Sequence, residues 1–196
     1  MDIIKKLAQE LAIKEEQAKA AVQLIDEGNT IPFIARYRKE MTGALNDETL
    51  RNLHERLLYL RNLEEKKEQV INAITDQGKM TEDLKKKILS AETLVAVDDL
   101  YRPYRPKKQT RATKAKEKGL EPLANILLLQ KTTKSMEEEA AAFVNAEKGV
   151  ANAKEAIAGA KDIIAEMIAD MADYRKSIRN CTMKQGSLVV KAKDEK

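Results

Sequence analysis

One stretch constrains this chain more than any other: NDETLRNLHERLLYLRNLEEKKEQVINAITDQGK, residues 46–79. Leu50, Leu53, Leu57, Leu60, Leu63, Val70, Ile71 and Ile74 recur mostly at three- and four-residue steps, which lines one face of an α-helix with apolar side chains. Asn46 or Asp47 is placed to cap the start, and Gly78 to stop the end. The spacing predicts a long helix over about 47–77. Its stripe must be covered by other elements, and composition says which kind. Charged residues make up 35% of the 196 and aromatics 4%, with no Trp. That mix suits helices joined through aliphatic seams and suits a β-sandwich or barrel poorly. The expected fold class is all-α.

The remaining elements follow from the same periodicity. Ile4, Leu7, Leu11, Ala18, Ala21, Val22 and Ile25 predict two short helices broken near Ile13, with Gly28 set for a left-handed cap. Pro32 suits the first turn of a helix in which Phe33 and Tyr37 share a face, so that Ile31, Phe33, Ile34 and Tyr37 plug the core. Thr81 and Thr93 begin two further short helices, and the second must end before Pro103. Thr110 caps a short helix ending at Gly119, and Pro122 opens another. KTTKSMEEEAAAF predicts a short helix. A second long helix, Ala-rich, is expected over about 150–180, where Ala153, Ala156, Gly159 and Ala160 would let a neighbour approach closely. One helical domain over 1–186 is the expected organisation, with a helix-turn-helix outline at 14–40. SLVVKAKDEK, 187–196, reads as a tail, a short strand or the start of a further domain.

Enzyme chemistry finds little support in these residues. One His and one Cys, without paired ligand spacing, make no metal centre. No glycine-rich phosphate loop can be written, so no nucleotide cofactor is expected. His54 reads as a surface or half-buried helix residue and Cys181 as inert; a single cysteine forms no internal disulfide. Asp98 and Asp99 are sequence neighbours that diverge on a helix and offset nearby arginines rather than form a dyad. The longest apolar run, ILLL at 126–129, is far short of a bilayer span. A non-enzymatic, cytoplasmic chain with no metal, cofactor or membrane partner is the expectation.

Charge points to binding. Between Arg102 and Lys118 eight cations face one acid, a net +7 in a chain whose total is +4. Concentration of this kind steers polyanions. In LYRPYRPKKQTRATKAKEKG the prolines are expected to hold an extended arm over 101–106. Beyond it Arg111, Lys114 and Lys118 fall on one helix face, opposite Ala112, Ala115 and Gly119. Tyr101, Arg102, Tyr104, Arg105, Lys107, Lys108, Arg111, Lys114 and Lys118 form the candidate nucleic-acid surface. The cations would meet phosphates and a tyrosine would take an unpaired base. In the competing reading both tyrosines turn inward and the lysines are solvated. Arg36, Arg38 and Lys39, within PFIARYRKE, are a secondary candidate that could serve duplex DNA. RNA or single-stranded DNA is the favoured partner class.

Three stretches carry a family resemblance: EGNTIPFIARYRKEMTGALNDETLRNLHERLLYLRNLEEKK, AETLVAVDDLYRPYRPKKQTRATKAKEKGLEPLA and NAEKGVANAKEAIAGAKDIIAEMIAD. They resemble, in order and spacing, the amino-terminal region of the bacterial Tex family of transcription accessory proteins. The resemblance covers nearly all the chain up to about Gln185. It implies a helical region that, in the family, precedes an RNase-H-like YqgF-type domain, helix-hairpin-helix elements and an OB-fold RNA-binding domain. The chain would then be a fragment ending at a cut edge, its partners nucleic acid, the missing domains and the transcription machinery. Arg102 stands where the family pattern has an apolar residue. Because the family's binding is thought to reside largely in the OB-fold domain, a scaffold or protein-interaction role competes with nucleic-acid contact here.

Overall fold

The computed structural model describes residues 2–191. It is all-α: helices account for every regular element among the described residues, and the sole β-type contact is an isolated antiparallel bridge between Asn145 and Val150. The chain divides into two compact units, Met1–Val97 and Asp98–Lys196, the division falling within one helix.

In the first unit the long helix sets the frame. It runs as α5, Asp47–Asp76, preceded by α1 (Ile3–Leu11), α2 (Glu15–Asp26), α3 (Ile31–Tyr37) and α4 (Lys39–Thr42). The Asn46 side chain accepts from the Thr49 amide at 2.7 Å and satisfies a first-turn donor. Leu50, Leu53, Leu57 and Leu60 are buried against Leu7, Ala18, Ala21, Leu24 and Ile34 of α1–α3. Fully burying each leucine is worth about 1.5–3 kcal/mol, which makes this seam the main stabilising feature of the unit. The break between α1 and α2 falls at Ala12, in left-handed conformation with φ of 52°, and Gly28 takes φ of 85° at the end of α2.

Farther along α5 the stripe contains a residue its periodicity disguises. Lys67 lies between Leu63 and Val70 on the buried face and is 3% exposed. Its ammonium donates to Glu64 at 2.8 Å and to the Leu89 carbonyl of α6 (Glu82–Ser90) at 2.9 Å. Those partners compensate the desolvation of a buried charge.

The second unit takes its first residues from α7, Leu94–Tyr101, and continues through a 3-10 turn (Arg102–Tyr104), α8 (Arg111–Glu117), α9 (Glu121–Leu129), α10 (Met136–Ala141), α11 (Ala153–Asp170) and α12 (Ala172–Gln185). The expected proline-held extended arm is therefore corrected over 102–104. Pro103 instead sits early in a tight turn, which its fixed φ suits. The core is small-residue packing of α8 and α9 on α11: Ala112, Ala115, Leu120 and Leu123 against Ala156, Ala160 and Ile163. Gly159 makes the approach possible, since a Cβ there would lie 2.4 Å from Leu120 Cδ1. The helical run expected over 150–180 is interrupted at one residue, Met171, whose ψ of 118° separates α11 from α12. Within 187–191 there is no regular structure; residues 192–196 of the expected tail lie outside the described residues.

Candidate nucleic-acid interface

Local sequence places the basic helix α8 firmly. Thr110 accepts from the Thr113 amide at 3.0 Å, while Thr113 Oγ1 accepts from the Thr110 amide at 2.6 Å, a reciprocal cap. With that phase fixed, Ala112 and Ala115 are buried against α11, and Arg111, Lys114 and Lys118 are exposed. Lys118 donates to the Gly149 carbonyl at 2.7 Å, which ties it to the loop before α11.

The cations upstream of α8 meet a row of acids on α11. Asp162, Glu166 and Asp170 are spaced four residues apart and so share a face. Asp170, with its side chain 10% exposed, accepts from Arg102 Nε at 2.9 Å and from the Lys107 ammonium. Lys107 also pairs with Glu166 at 3.0 Å, and Arg111 approaches Asp162 at 3.6 Å. Burial works against the charge on Lys107, but its hydrogen bonds to Asp170 and Glu166 outweigh that and hold its pKa above the ordinary value. Between these elements lies an open groove of about 610 Å³, lined by Arg102, Arg105, Lys107, Lys108 and Arg111 and by the three carboxylates. Five cations against three acids leave the groove at net +2.

The nine sequence candidates thus divide. Arg102 and Lys107 are held by α11. Arg105 pairs with Asp98 at 3.7 Å and sets its guanidinium 5.8 Å from the centre of the Tyr101 ring, so that its own cation covers that aromatic. Tyr101 and Tyr104 are both half-buried. Lys108 and Lys114 have no acid within ion-pairing distance among the described residues. Arg111 keeps its side chain 87% exposed beside a long contact. Lys108, Arg111 and Lys114 are the outward cations of this region.

A second pair of ion contacts was legible only in part. Asp99, expected to offset nearby arginines, is 5% exposed and accepts instead from Arg175 and Arg179 of α12, at 2.7 and 2.5 Å. Burial raises its pKa, but the two arginine hydrogen bonds and charges prevail, and its carboxyl lies below the ordinary value. The acidic rows of α11 and the Arg-x-x-x-Arg of α12 are the signals that sequence reading passed over.

The secondary candidate has different surroundings. Ile34 is fully buried, but Phe33 and Tyr37 are not core plugs as expected: they are 36% and 67% exposed, on the flank of α3 next to the Ile31–Ile34 face. Only one side of a seven-residue helix can face α5, and Ile31 and Ile34 occupy it. Arg36, Arg38 and Lys39 are exposed beside these rings. Over 14–40 the order is α2, a turn and α3, with α4 following directly. His54 is half-buried and lines a shallow pocket with Ile25, Thr30 and Arg51, while Cys181 is exposed. Among the described residues no three His, Cys, Asp or Glu side chains are grouped to hold a metal, and no helix is long and apolar enough to cross a membrane.

Comparison with known proteins agrees with the resemblance carried by the motifs. The family model for the Tex-like protein N-terminal domain matches residues 1–75, and the Tex central region-like model matches residues 131–196. Protein YhgF of Escherichia coli is 47% identical over 93% of this chain, and the transcriptional accessory protein Tex of Neisseria gonorrhoeae is 43% identical over 92%. The human S1 RNA-binding domain-containing protein 1 is 32% identical over 94%. The chain spans about a quarter of the two bacterial relatives, 24% and 23%, and 18% of the human one. Matched at both ends by Tex models and along nearly all its length by these relatives, the chain belongs to the Tex family.

Proposed function

We propose that this chain is a non-enzymatic, cytoplasmic module of transcription that contacts the phosphates of single-stranded RNA or DNA. The observation that carries this reading is the row Lys108, Arg111 and Lys114, turned outward beside a groove of net positive charge. Acids of α11 hold Arg102 and Lys107 and thereby fix the shape of the groove, while the outward row remains available to a polyanion. Support also comes from relatives named as a transcriptional accessory protein and as an RNA-binding-domain protein. The test is fluorescence anisotropy of the chain with single-stranded RNA, single-stranded DNA and duplex DNA at two salt concentrations. Three or four engaged phosphates give a log K against log salt slope of roughly −2 to −3 on single strands. Lys108→Glu, Arg111→Glu and Lys114→Glu together abolish binding.

A scaffold reading has its own observation. Helix α12 buries none of its residues, and Tyr174 and Ile178, with Ile168 and Met171 before them, form an uncovered apolar surface. Such a surface suits other domains of a longer protein or a component of the transcription machinery. Absence of any strand binding at about 50 mM salt decides for this alternative and against the first reading.

A further inference from the structure

The turn from α3 to α4 combines features that a solvated basic loop lacks. The Phe33 and Tyr37 rings lie with centres 5.3 Å apart, tilted at 45°. The Arg38 guanidinium lies 5.3 Å from the centre of the Phe33 ring. Residues 36–41 line a concavity of about 370 Å³ in which three cations face one acid, Glu40. Among the described residues none of the three cations has an ion-pairing acid, in contrast to Arg102 and Lys107 of the other basic region.

The surface is also rigidly presented. Gln17 of α2 donates through Nε2 to the carbonyls of Thr42 at 3.2 Å and Gly43 at 3.0 Å, while its Oε1 accepts from the Lys14 amide at 3.1 Å. The buried Thr42 hydroxyl donates back to the Arg38 carbonyl at 3.3 Å. These bonds fasten the α4 turn to α2, and Ile34 fastens α3 to the core. Aromatic faces held in place beside cations lose little entropy on binding a planar, negatively charged partner.

An unpaired nucleotide has that chemistry: a π-face to stack on a ring, and a phosphate next to it. A base inside a duplex already has both faces covered. We propose that the α3–α4 turn is a contact site for unpaired nucleotides, with Tyr37 taking a base face beside Phe33, whose ring Arg38 covers, and Arg36 and Lys39 meeting the adjoining phosphates. The site shares a partner class with the α8 groove but none of its residues.

Three probes test it on the whole chain: oligo(dT) of about 12 nucleotides, an abasic strand of equal length, and the matching duplex. Stacking of one base predicts that Phe33→Ala with Tyr37→Ala weakens oligo(dT) binding about tenfold and leaves the abasic strand unaffected. Arg36→Glu with Lys39→Glu weakens both strands. Iodouracil photocrosslinking, whose products are mapped by mass spectrometry, falls on the peptide carrying Phe33 and Tyr37. The aromatic side chains are exposed, so an unchanged thermal melt is expected to accompany these losses. Wild-type affinity for oligo(dT) in the aromatic variant overturns the proposal, as does an equal loss on the abasic strand. If the Lys108, Arg111 and Lys114 variant alone loses binding, this site falls and the α8 reading stands. If only the aromatic variant does, the α8 reading falls. No strand binding at about 50 mM salt overturns both.

Discussion

Asp170→Asn separates a groove that meets phosphates from one that serves only as an internal clamp. The wild-type carboxylate neutralises Arg102 and Lys107 while almost fully buried, and both cations remain near solvent, with side chains 47% and 25% exposed. The amide keeps an acceptor for one of them but removes a negative charge, so the groove passes from net +2 to net +3. Lys107 retains Glu166 at 3.0 Å, which leaves Arg102 as the released group. Weakening one charge-assisted contact between partly exposed partners costs about 1–2 kcal/mol of stability in this unit. For binding the sign is opposite. Removing a unit negative charge about 6 Å from a bound phosphate relieves about 0.7 kcal/mol even in water-like dielectric, a gain of about threefold. If Arg102 then engages a phosphate of its own, the single-strand salt slope steepens by about 0.7. Anisotropy with oligo(dT) across a salt series reads affinity and slope, and urea unfolding reads the loss of stability. Unchanged or weaker binding by a variant whose α11 amides remain protected from hydrogen exchange refutes the reasoning and favours the clamp.

Two further perturbations test how the second unit is held. Asp99→Asn removes the carboxylate that both Arg175 and Arg179 engage, and amide exchange in α12 should accelerate at least about tenfold while α8 and α11 keep their protection. Because the native carboxyl of Asp99 titrates below its ordinary value of 3.8, this contribution is complete above that value and is lost as pH falls through the depressed native one. An acid titration of α12 amide shifts by NMR should show it, and a transition moving above pH 3.8 would contradict it. Gly159→Ala gains about 1 kcal/mol of helix propensity but drives a methyl to 2.4 Å from Leu120 Cδ1, and overpacking of this kind costs about 1–3 kcal/mol. The variant should unfold at lower urea, and Leu120→Val, which removes the clashing carbon, should turn the effect of the alanine favourable; additive effects in the double-mutant cycle would show that the clash is absent.

The parts of the molecule legible in sequence are those decided within a few turns of one helix. The α5 stripe, the Asn46 and Thr110 caps, the left-handed Gly28 and the inward phase of Ala112 and Ala115 each depend on neighbours at most four residues away. Lys67 was hidden because burying an ammonium requires the Leu89 carbonyl from another helix, and nothing in the spacing around it announces that partner. Phe33 and Tyr37 satisfy an apolar i, i+4 pattern as well as core residues do. Which side of so short a helix faces α5 is settled by Ile31 and Ile34 in competition with them. Met171 breaks a helical run without Pro or Gly beside it, and nothing in the local sequence explains the break.

The same distinction governs the candidate sites, because net charge is a sum over sequence while available charge is a property of the fold. The segment 102–118 carries +7, yet α11 answers its first cations with Asp162, Glu166 and Asp170, more than forty residues away in the chain. The stretch 36–40 carries only a net +2, and among the described residues no acid is within ion-pairing distance of Arg36, Arg38 or Lys39. A paired cation must lose its partner before it can meet a phosphate, and that exchange cancels much of the gain, whereas an unpaired one exchanges only water and counterions. The two basic regions are therefore closer in binding capacity than their formal charges suggest. Aromatic availability tips the comparison further. At Tyr101 the ring is covered by Arg105 and half-buried, while Tyr37 presents more than half its surface to solvent. Contacts at α8 would thus be to phosphates, whereas base contacts, and with them discrimination between single strand and duplex, would reside at the α3–α4 turn.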